Sequence, residues 1–411
     1  MSRIVVSGIG LNTSLGPDVA SNWKNLTERA IGPGLTTRRS APSDRVQRSK
    51  LEGYSRALEL AESAAREACA DAALGPEVDP SRIGCTFSAS KPLFDGDDVR
   101  PPESVQDRLC ERLGFAGERR NIVAACATGA YAMALAASWI EQGLCDVVLA
   151  GSVEPWPHPL IEAGFRQMGV LSPDGDTRPF DAHRSGFHFG EGAGAVVLES
   201  EDHRRKRIGG DPKRRLSTEA AIQDCGERLF HRNTARRRSG SPPFGITAVR
   251  DHRRPIILSG WALGADGHSA VAFNSNGQNI ASVIGRALRR ASLEPSDIAH
   301  VNAHGTGTML NDWIETQALL KAFGPHAPRL MVSATKASTG HLLGASGSVE
   351  FVFTVLALRH QYAPPTATLQ TPDPACALDY TPREGHGARI DHALSLSFGF
   401  GGPIGALVAS R

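Results

Sequence analysis

Short apolar runs alternate along the chain with segments of helical period. The runs are rich in β-branched residues, which is typical of buried strands. They lie at 3–10, 82–87, 121–125, 146–151, 194–199, 255–263, 298–304, 330–335, 394–400 and 404–410. Segments that repeat apolar residues every three or four positions lie at 56–74, 279–293 and 348–358. Strands that alternate with helices predict an α/β fold with parallel or mixed sheets.

Two stretches about 200 residues apart share one plan. Each runs from an apolar strand through small polar residues into a helix, at 121–140 and again at 330–358. The shared plan predicts two similar halves, residues 1–201 and 255–411. In α/β sheets, ligands bind at the carboxyl ends of the strands, so each half is expected to deliver one reactive loop.

Residues 202–254 interrupt this pattern. Basic residues come in clumps, apolar residues follow no period, and Gly, Pro and Ser recur, which predicts an inserted, flexible segment. One interpretation of the basic stretch 208–253 is a solvated loop. The other is a basic face that attracts an acidic partner.

Composition excludes several classes of protein. The chain has 411 residues, 41% hydrophobic content and a formal net charge of +2, which argues against nucleic-acid binding. Its seven cysteines are scattered without a C-x-x-C pair, so neither a disulfide framework nor a zinc site is expected. No apolar run reaches the roughly 20 residues of a membrane span, and the N-terminus lacks signal-peptide features. We expect a soluble, cytoplasmic protein without membrane contact.

Cys126 lies where a predicted strand meets a predicted helix. A cysteine before a helix meets the positive end of the helix dipole, which favours the thiolate. The small residues at 127–130 leave room for a substrate and free backbone N–H groups for an oxyanion. Cys126 is therefore a candidate nucleophile, although a buried structural cysteine is an alternative. Cys145 is interpreted as a core residue.

Two histidines and a lysine occupy similar turns. His304 ends the strand-like run of VNAHGTGT, and Lys336 and His341 flank the turn in TKASTGHLLGASG. His300 and His304 share no helical face and no Glu follows as in H-E-x-x-H, so a metal site is not expected. A structural role for each histidine is the alternative.

The segment SFGFGGPIG, residues 397–405, sets Phe398 and Phe400 among glycines. A mobile loop whose ring covers a pocket is one interpretation, and a tight turn is the other. The run GEGAG at 190–194 precedes a strand and lacks dinucleotide spacing, which excludes a nucleotide site of that type. No G-x-S-x-G elbow is present.

Five segments in order resemble the β-ketoacyl-acyl carrier protein synthases, the condensing enzymes of type II fatty acid and polyketide synthesis. They are ACATGA, RPFDAHRSGFHFGEGAGAVVLE, VNAHGTGT, TKASTGHLLGASGSVE and FGFGGPIG. The resemblance covers the chain from about residue 120 to its end, apart from the insertion. It implies a thiolase fold, with two similar halves in five α/β/α/β/α layers, and usually a homodimer.

The resemblance also implies roles for individual residues. Cys126 matches the acyl-accepting nucleophile, and His304 and His341 match the pair that stabilises the enolate formed on malonyl decarboxylation. Lys336 matches a lysine that hydrogen-bonds within this cluster, and Glu350 matches a buried supporting glutamate. The remaining residues match substrate-binding or gating positions: Thr306 and Thr308 beside the malonyl carboxylate, Phe398, and Phe400, whose N–H joins that of Cys126 in the oxyanion hole.

The implied reaction is a decarboxylating Claisen condensation. It acts on acyl and malonyl thioesters of an acyl carrier protein, with no metal or redox cofactor, in a homodimer or a heterodimer with a related subunit. The alternatives are a relative that only transfers acyl groups or decarboxylates malonyl thioesters, and a non-catalytic partner subunit. Such subunits generally lack the cysteine. A thiolase would carry a second catalytic cysteine near the C-terminus.

Three departures from the family pattern stand out. The stretch at 85–115 before Cys126 is short, which bears on acyl-chain length and on the dimer. Ser185 stands where aspartate is usual. Pro403 and Ile404 stand where Thr-Asn is usual, and a proline there stiffens the loop. We expect altered gating more than altered chemistry.

Overall fold

The computed structural model describes residues 3–28, 52–96, 98–209, 255–269 and 272–411. Within these ranges the strands are β1 (Ile4–Thr13), β2 (Ile83–Ala89), β3 (Leu93–Asp95), β4 (Asp98–Arg100), β5 (Val147–Glu154), β6 (Gly192–Ser200), β7 (Ile257–Ala265), β8 (His300–Asn302), β9 (Met331–Ser333), β10 (Tyr362–Ala363), β11 (His386–Gly387), β12 (His392–Phe398) and β13 (Pro403–Ser410). The α-helices are α1 (Val19–Glu28), α2 (Gly53–Asp71), α3 (Glu103–Leu113), α4 (Thr128–Glu141), α5 (Pro159–Gln167), α6 (Glu201–Gly209), α7 (Gln278–Ala291), α8 (Met309–Phe323), α9 (Lys336–Thr339) and α10 (Ser346–His360).

One strand order is used twice. The main sheet has nine strands in the order β2-β5-β6-β1-β7-β13-β12-β8-β9. From the centre outwards, β1-β6-β5-β2 and β7-β13-β12-β8 have the same sequence of antiparallel, antiparallel and parallel pairs. The two sets meet where Val5 pairs with Ile257. The chain therefore repeats one arrangement, with an antiparallel seam between the copies.

Helices separate the two sets of strands into layers. Helices α2 and α3 cover the outer face of the first set, and α7, with α8 against it, covers the outer face of the second. Helices α4 and α10 lie between the sets and pack on strands of both. The expected five α/β/α/β/α layers are confirmed.

The two central helices are enclosed on all sides. Residues 346–358 of α10 are all buried, and these include the polar residues Ser346, Ser348, Glu350 and Thr354. Helices α4 and α10 approach closely at Gly129 and Gly347. A Cβ at Gly129 would lie 2.3 Å from the backbone nitrogen of Ser348, and one at Gly347 would lie 2.8 Å from that of Ala130. Only glycine fits at this contact.

The strand predicted at 121–125 is wrong. Only Arg119 forms a bridge, with Cys85, in parallel. The next residues are held by side chains instead of a ladder: Ser88 Oγ accepts from the Ile122 N–H at 2.9 Å, and Asn121 Oδ1 accepts from the Ala89 N–H at 3.3 Å. The segment lies at the edge of the sheet, where side-chain contacts replace a partner strand.

The basic segment begins as an ordered helix. Residues 201–209 form α6, and Arg207 is nearly buried against Glu199, with further bonds to the carbonyls of Ala72 and Ala73. Residues 210–254 lie outside the described residues. None of the helices in the described ranges is both long and apolar enough to cross a bilayer.

Candidate active site

Cys126 lies in a tight elbow at the start of α4. Residues 125–127 form one turn of 3₁₀ helix that runs directly into α4, and Ala125 has a φ of 46°, which is unusual for a residue with a side chain. Thr128 Oγ1 accepts from the Ala124 N–H at 3.0 Å and donates to the Ala125 carbonyl at 2.7 Å. The Thr128 hydroxyl therefore stabilises the elbow through two hydrogen bonds, and the elbow places the Cys126 sulfur at the start of the helix.

The Cys126 side chain is buried, at 6% exposure, among Phe187, Phe189 and Leu343. Burial raises the pKa of Cys126 to about 12, and the positive charge of Lys336 acts in the opposite direction. The loss of hydration outweighs the effect expected from the helix end. The resting site therefore holds a thiol, not the thiolate that the sequence predicts.

Two carboxylates shape the turn that carries His304. Glu315 accepts from the backbone N–H groups of His304, at 2.7 Å, and Gly305, at 2.9 Å. Asp312 accepts from the N–H groups of Thr306 and Gly307, at 3.0 and 3.1 Å. Both acids lie on the first turns of α8 and are fully buried. The turn is therefore folded around the start of a helix.

His341 lies just before the second elbow, at 343–345. Its Nδ1 accepts from the Leu343 N–H at 3.0 Å and lies 3.2 Å from Ser346 Oγ. Because Nδ1 accepts, the neutral ring carries its proton on Nε2. The backbone around the ring pairs with Phe189, and the His341 N–H donates to the His188 carbonyl at 2.7 Å. The ring is therefore fixed as an Nε2–H donor.

Lys336 joins His304 to Glu350. Its Nζ contacts the His304 carbonyl at 2.6 Å, His304 Nδ1 at 3.2 Å and a carboxylate oxygen of Glu350. An ammonium group has three N–H donors, which matches these three acceptors. Burial raises the pKa of Glu350 to about 7, against the opposing charge of Lys336. With Nδ1 accepting, His304 also carries its proton on Nε2.

The two imidazoles face each other and are neutral. Their ring centres are 5.6 Å apart and their planes are nearly perpendicular, at 84°. Burial, followed by the charge of Lys336, holds the pKa of both histidines well below 6.5, and each ring is less than 5% exposed. The site thus contains two N–H donors that carry no charge.

The remaining predicted residues lie around this centre. Thr306 Oγ1 lies 3.0 Å from Thr308 Oγ1. The ring of Phe398 is buried 5.3 Å from that of His304, whereas Phe400 is half-buried and its ring lies 6.1 Å from that of Phe165. Between the two phenylalanines, Gly399 abuts the elbow: a Cβ there would lie 3.0 Å from the Cys126 nitrogen. The β12–β13 turn therefore closes on the cysteine.

The departures from the family pattern have ordinary local structure. Ser185 is exposed, with its Oγ 3.3 Å from that of Ser172. Pro403 begins β13, and its carbonyl accepts from the Gly399 N–H at 3.0 Å, which helps to close the turn. Part of the short stretch before Cys126 forms the β3–β4 hairpin.

Sequence reasoning missed several residues of the site. Asp312 and Glu315 hold the His304 turn, and their signal was two acids on the first turns of a helix directly after HGTGT. Glu154 is completely buried, pairs with Lys91 and accepts from the Gly344 N–H at 3.2 Å. Its signal was a carboxylate at the end of an otherwise apolar strand. No cluster of metal ligands occurs within the described residues.

Comparison with known families identifies this arrangement. A model of the N-terminal domain of β-ketoacyl synthases matches residues 102–204, and one of the C-terminal domain matches residues 256–370. The two matches cover more than half of the chain and include Cys126, His304 and His341. The chain belongs to the β-ketoacyl synthase family.

Similar curated proteins support this placement. The chain is 31% identical over 454 residues to a 3-oxoacyl-[acyl-carrier-protein] synthase 2 of Mycobacterium bovis, covering 99% of this chain and 97% of that protein. It is 29% identical over 450 residues to the synthase of that name from Coxiella burnetii, covering 100% and 98%. A polyketide beta-ketoacyl synthase of Streptomyces cyaneus is 35% identical over 73% of this chain, which spans 62% of that protein's length.

Solved structures of β-ketoacyl synthases share the fold. A type II polyketide ketosynthase, solved with its acyl carrier protein, superposes with a TM-score of 0.78 at 25% identity, covering 100% of this chain and 99% of that one. A β-ketoacyl synthase from Burkholderia phymatum gives a TM-score of 0.76 at 24% identity and covers both chains fully. The chain described here therefore has the thiolase fold of the ketosynthases.

Proposed function

We propose that this protein catalyses a decarboxylating Claisen condensation between an acyl thioester and a malonyl thioester. One observation carries the proposal: a buried cysteine at a helix start packs against Phe187, whose ring contacts His341, one of two neutral imidazoles whose tautomers are fixed as Nε2–H donors. Such a set can accept an acyl group and then stabilise an enolate. It requires no charged acid, which would protonate the carbanion.

Acylation comes first. The Cys126 sulfur attacks the thioester carbonyl, the carbonyl oxygen becomes an oxyanion, and the carrier thiol leaves with the proton that Cys126 gives up. We assign the oxyanion hole to the N–H groups of Cys126 and Phe400, since Gly399 packs on the cysteine nitrogen. Because the resting sulfur is protonated, the proton must move during this step and not before substrate arrives.

Decarboxylation of the malonyl group follows. Loss of CO₂ leaves negative charge on the thioester oxygen, and the two Nε2–H groups stabilise that charge in a dry site. Thr306 and Thr308 offer hydroxyl groups beside these rings for the carboxylate. The enolate carbon then attacks the acyl group on Cys126 and expels the sulfur, which yields a β-ketoacyl thioester.

Lys336 acts through His304. It occupies His304 Nδ1 with a donor, so the imidazole must present Nε2–H to substrate. Glu350 neutralises the ammonium, which would otherwise be an isolated buried charge. Lys336 is therefore a positioning residue, and its loss should free the ring to adopt the other tautomer.

The substrates are carried by an acyl carrier protein. Among the structural neighbours, one was solved with its acyl carrier protein and others with a chain length factor. By analogy, this chain forms a homodimer or pairs with a related subunit. Carrier proteins are acidic, so the basic segment 208–253 is a candidate docking face. Because Arg207 is structural, the test replaces only residues 212–252 by a Gly-Ser linker. Loss of carrier affinity and a weaker salt dependence would support docking, and unchanged values would contradict it.

Two alternative functions use the same site. A relative without elongation would acylate Cys126 or decarboxylate malonyl thioester but form no carbon–carbon bond. A non-catalytic partner subunit would do neither, and the Cys–His–His set argues against it. For domain organisation, we propose halves 1–201 and 255–411 around the segment 202–254, whose first residues belong to α6. We place the protein in the cytoplasm with its carrier-borne substrates.

One experiment separates these functions. The protein is incubated with acyl-carrier thioesters and the intact mass of the chain is measured, followed by addition of malonyl-carrier. An adduct on Cys126 and a product longer by two carbons are expected. An adduct without elongation supports the acyltransferase alternative. The absence of any adduct on Cys126 would overturn the proposal.

A further inference from the structure

Three phenylalanine rings close one side of the space around Cys126. Phe187 and Phe189 lie in the same apolar cluster as the cysteine, and Phe165 of α5 packs against it. The ring centres are 6.0 Å apart for Phe165 and Phe187, 5.4 Å for Phe165 and Phe189, and 5.7 Å for Phe187 and Phe189, with interplanar angles of 73–89°. All three pairs are edge-to-face. We call these residues the phenylalanine trio.

The trio leaves no passage for a hydrocarbon chain. Edge-to-face rings at these separations are in van der Waals contact. A methylene chain is about 4 Å thick, so it cannot pass between two such rings unless one of them moves. An acyl group that extends from Cys126 towards the trio must therefore end at these rings or displace one of them.

Two members of the trio are anchored. Phe189 is in a parallel bridge with His341, and the next residue, Gly190, donates its N–H to the His341 carbonyl at 3.0 Å. Phe187 contacts the His341 ring, with centres 4.6 Å apart. Phe187 and Phe189 are only 2% and 4% exposed. Phe187 and Phe189 of the phenylalanine trio are thus held by the loop that carries His341.

Phe189 is the member best placed to set the depth of the site. Its ring contacts both other members of the trio and also Trp156, whose ring centre is 6.3 Å away. Phe187, by contrast, touches His341, so its replacement would disturb the imidazole as well as the wall. Phe165 belongs to a helix without buried residues. A shorter side chain at position 189 therefore opens a gap in the phenylalanine trio and leaves the contacts of the His304 and His341 rings unchanged.

We propose that the phenylalanine trio restricts Cys126 to short acyl groups and that Phe189 is the specificity-determining residue. The inference rests on the proposed function, in which Cys126 S–H attacks an acyl thioester. The new S–acyl bond forms as the old one breaks, and the proton leaves with the departing thiol. On this proposal the acetyl and butanoyl groups are the ones accepted without movement of the trio, and an octanoyl group requires Phe189 to be displaced.

The test measures the length dependence of acylation. Wild type, Phe189→Leu and Phe189→Ala are incubated with acetyl, butanoyl and octanoyl phosphopantetheine thioesters, and adducts on Cys126 are followed by intact mass. We expect wild type to accept octanoyl at least about tenfold more slowly than acetyl. The ratio of octanoyl to acetyl rates should rise at least about tenfold in Phe189→Ala, with Phe189→Leu between.

A matched control is Phe323→Leu. Phe323 is also a buried phenylalanine, but it ends α8 and belongs to a hydrophobic cluster that does not include Cys126. Its replacement should leave the length profile unchanged. Equal acetyl and octanoyl rates in wild type, or an unchanged ratio in both Phe189 variants, would overturn the proposal. If Phe189→Ala does not fold, Phe189→Leu alone decides.

A second readout does not depend on the proposed reaction. N-methyl and N-octyl iodoacetamide alkylate a thiol without any carrier or malonyl group. The octyl reagent should modify Cys126 of wild type more slowly than the methyl reagent, and Phe189→Leu should narrow the difference. If no thioester acylates Cys126 but the octyl reagent still reacts more slowly than the methyl reagent, the proposed function is wrong and the length restriction by the phenylalanine trio is supported. If thioesters acylate Cys126 at rates that do not depend on chain length, the length restriction is wrong and the proposed function is supported.

Discussion

The two halves of the molecule build the same elbow and use it differently. In the first half, Ala125 has a φ of 46° and begins a 3₁₀ turn that enters α4. In the second, Leu343 has a φ of 46° and begins a 3₁₀ turn that enters α10. The first elbow carries Cys126. The corresponding position of the second carries Gly344, where a Cβ would lie 2.3 Å from the Ser90 Cβ. The repeated fold supplies two equivalent elbow positions, and only the first has space for a side chain.

The second half places its chemistry beside its elbow instead of on it. Helix α9 lies between β9 and the second elbow, and it carries Lys336 and leads to His341. In the first half the corresponding segment reaches Cys126 without a helix. In the proposed reaction, one half provides the nucleophile and the other provides the donors. The proposed chemistry is therefore divided between two copies of one arrangement.

Giving the first elbow the residue of the second tests this division most directly. In Cys126→Gly the elbow keeps its backbone but loses the sulfur, so acyl adducts should vanish and condensation should fall by about four orders of magnitude or more. Intact mass and product formation are the measurements. Cys145→Ala, which removes another buried cysteine, should leave both unchanged. Residual acylation of Cys126→Gly at a wild-type rate would refute the assignment of the nucleophile.

The donors of the second half should matter for a different step. His304→Ala and His341→Ala each remove an N–H from the developing enolate, so malonyl decarboxylation should fall about 10²–10³-fold. Acylation of Cys126, followed separately by mass, should fall less. His326→Ala, on the surface side of the second half, serves as the control. Unchanged decarboxylation in both site variants would show that the imidazoles are structural.

The halves should also differ in their response to pH. The pKa of each histidine lies well below 6.5, so both remain neutral donors as the pH falls from about 7.5 to 5.5, and protonation of the imidazoles should not lower decarboxylation in this range. A change in decarboxylation near pH 7 is expected to come from Glu350, whose pKa burial raises to about 7 and whose protonation leaves the Lys336 ammonium without its counter-charge. The pKa of Cys126 is about 12, so its thiolate fraction, and with it the rate of iodoacetamide alkylation, should fall about tenfold per unit as the pH drops. A plateau of alkylation above about pH 8 would instead indicate a resting thiolate.

The contact between the halves can be tested through Gly129 and Gly347. An alanine at either position would drive a Cβ into the backbone of the opposite central helix, so each variant should lose about 1–3 kcal/mol of unfolding free energy. Chemical denaturation measures the loss. Gly164→Ala in α5 is the matched control because its Cβ meets nothing within 4 Å, and stability should be unchanged or higher. Equal stability of all three variants would mean that the helices can separate.

The smallest effect is expected at the turn that joins the halves of the site. Pro403→Thr should loosen the β12–β13 turn and change acyl selectivity or the transfer rate a few-fold, with little effect on decarboxylation. Acylation by thioesters of different length is the measurement. If selectivity and rate are the same as in wild type, the proline has no part in gating.

The sequence was sufficient for the arrangement of the fold because both elbows carry strong local signals. An apolar run, small residues and a helix recur at 121–140 and 330–358, and the stretch 349–358 of α10 is mostly apolar. The strand at 121–125 was predicted wrongly because composition does not reveal whether an edge segment has a partner. The true bond partners, Ser88 and the backbone of Ala89, come from another strand.

The site was less predictable wherever its properties depend on burial. The helix start at Cys126 favours a thiolate, but the surrounding aromatic rings reverse the balance, and those rings come from distant segments. Glu315 is not singled out from the sequence because a glutamate in a helix is ordinarily exposed, whereas here it is fully buried and accepts from the His304 N–H. Phe187 and Phe189 stood in a recognised segment, but their contact with Phe165 is a tertiary feature.

The glycine contact between α4 and α10 has a consequence for redesign. The two helices start at the two elbows and touch backbone to backbone, with no side chain to absorb a displacement. A change that shifts one elbow will therefore carry the other with it. A nucleophile loop grafted from another enzyme should function only when the helix equivalent to α10 is transferred with it. The nucleophile and the donors would then keep their relative positions.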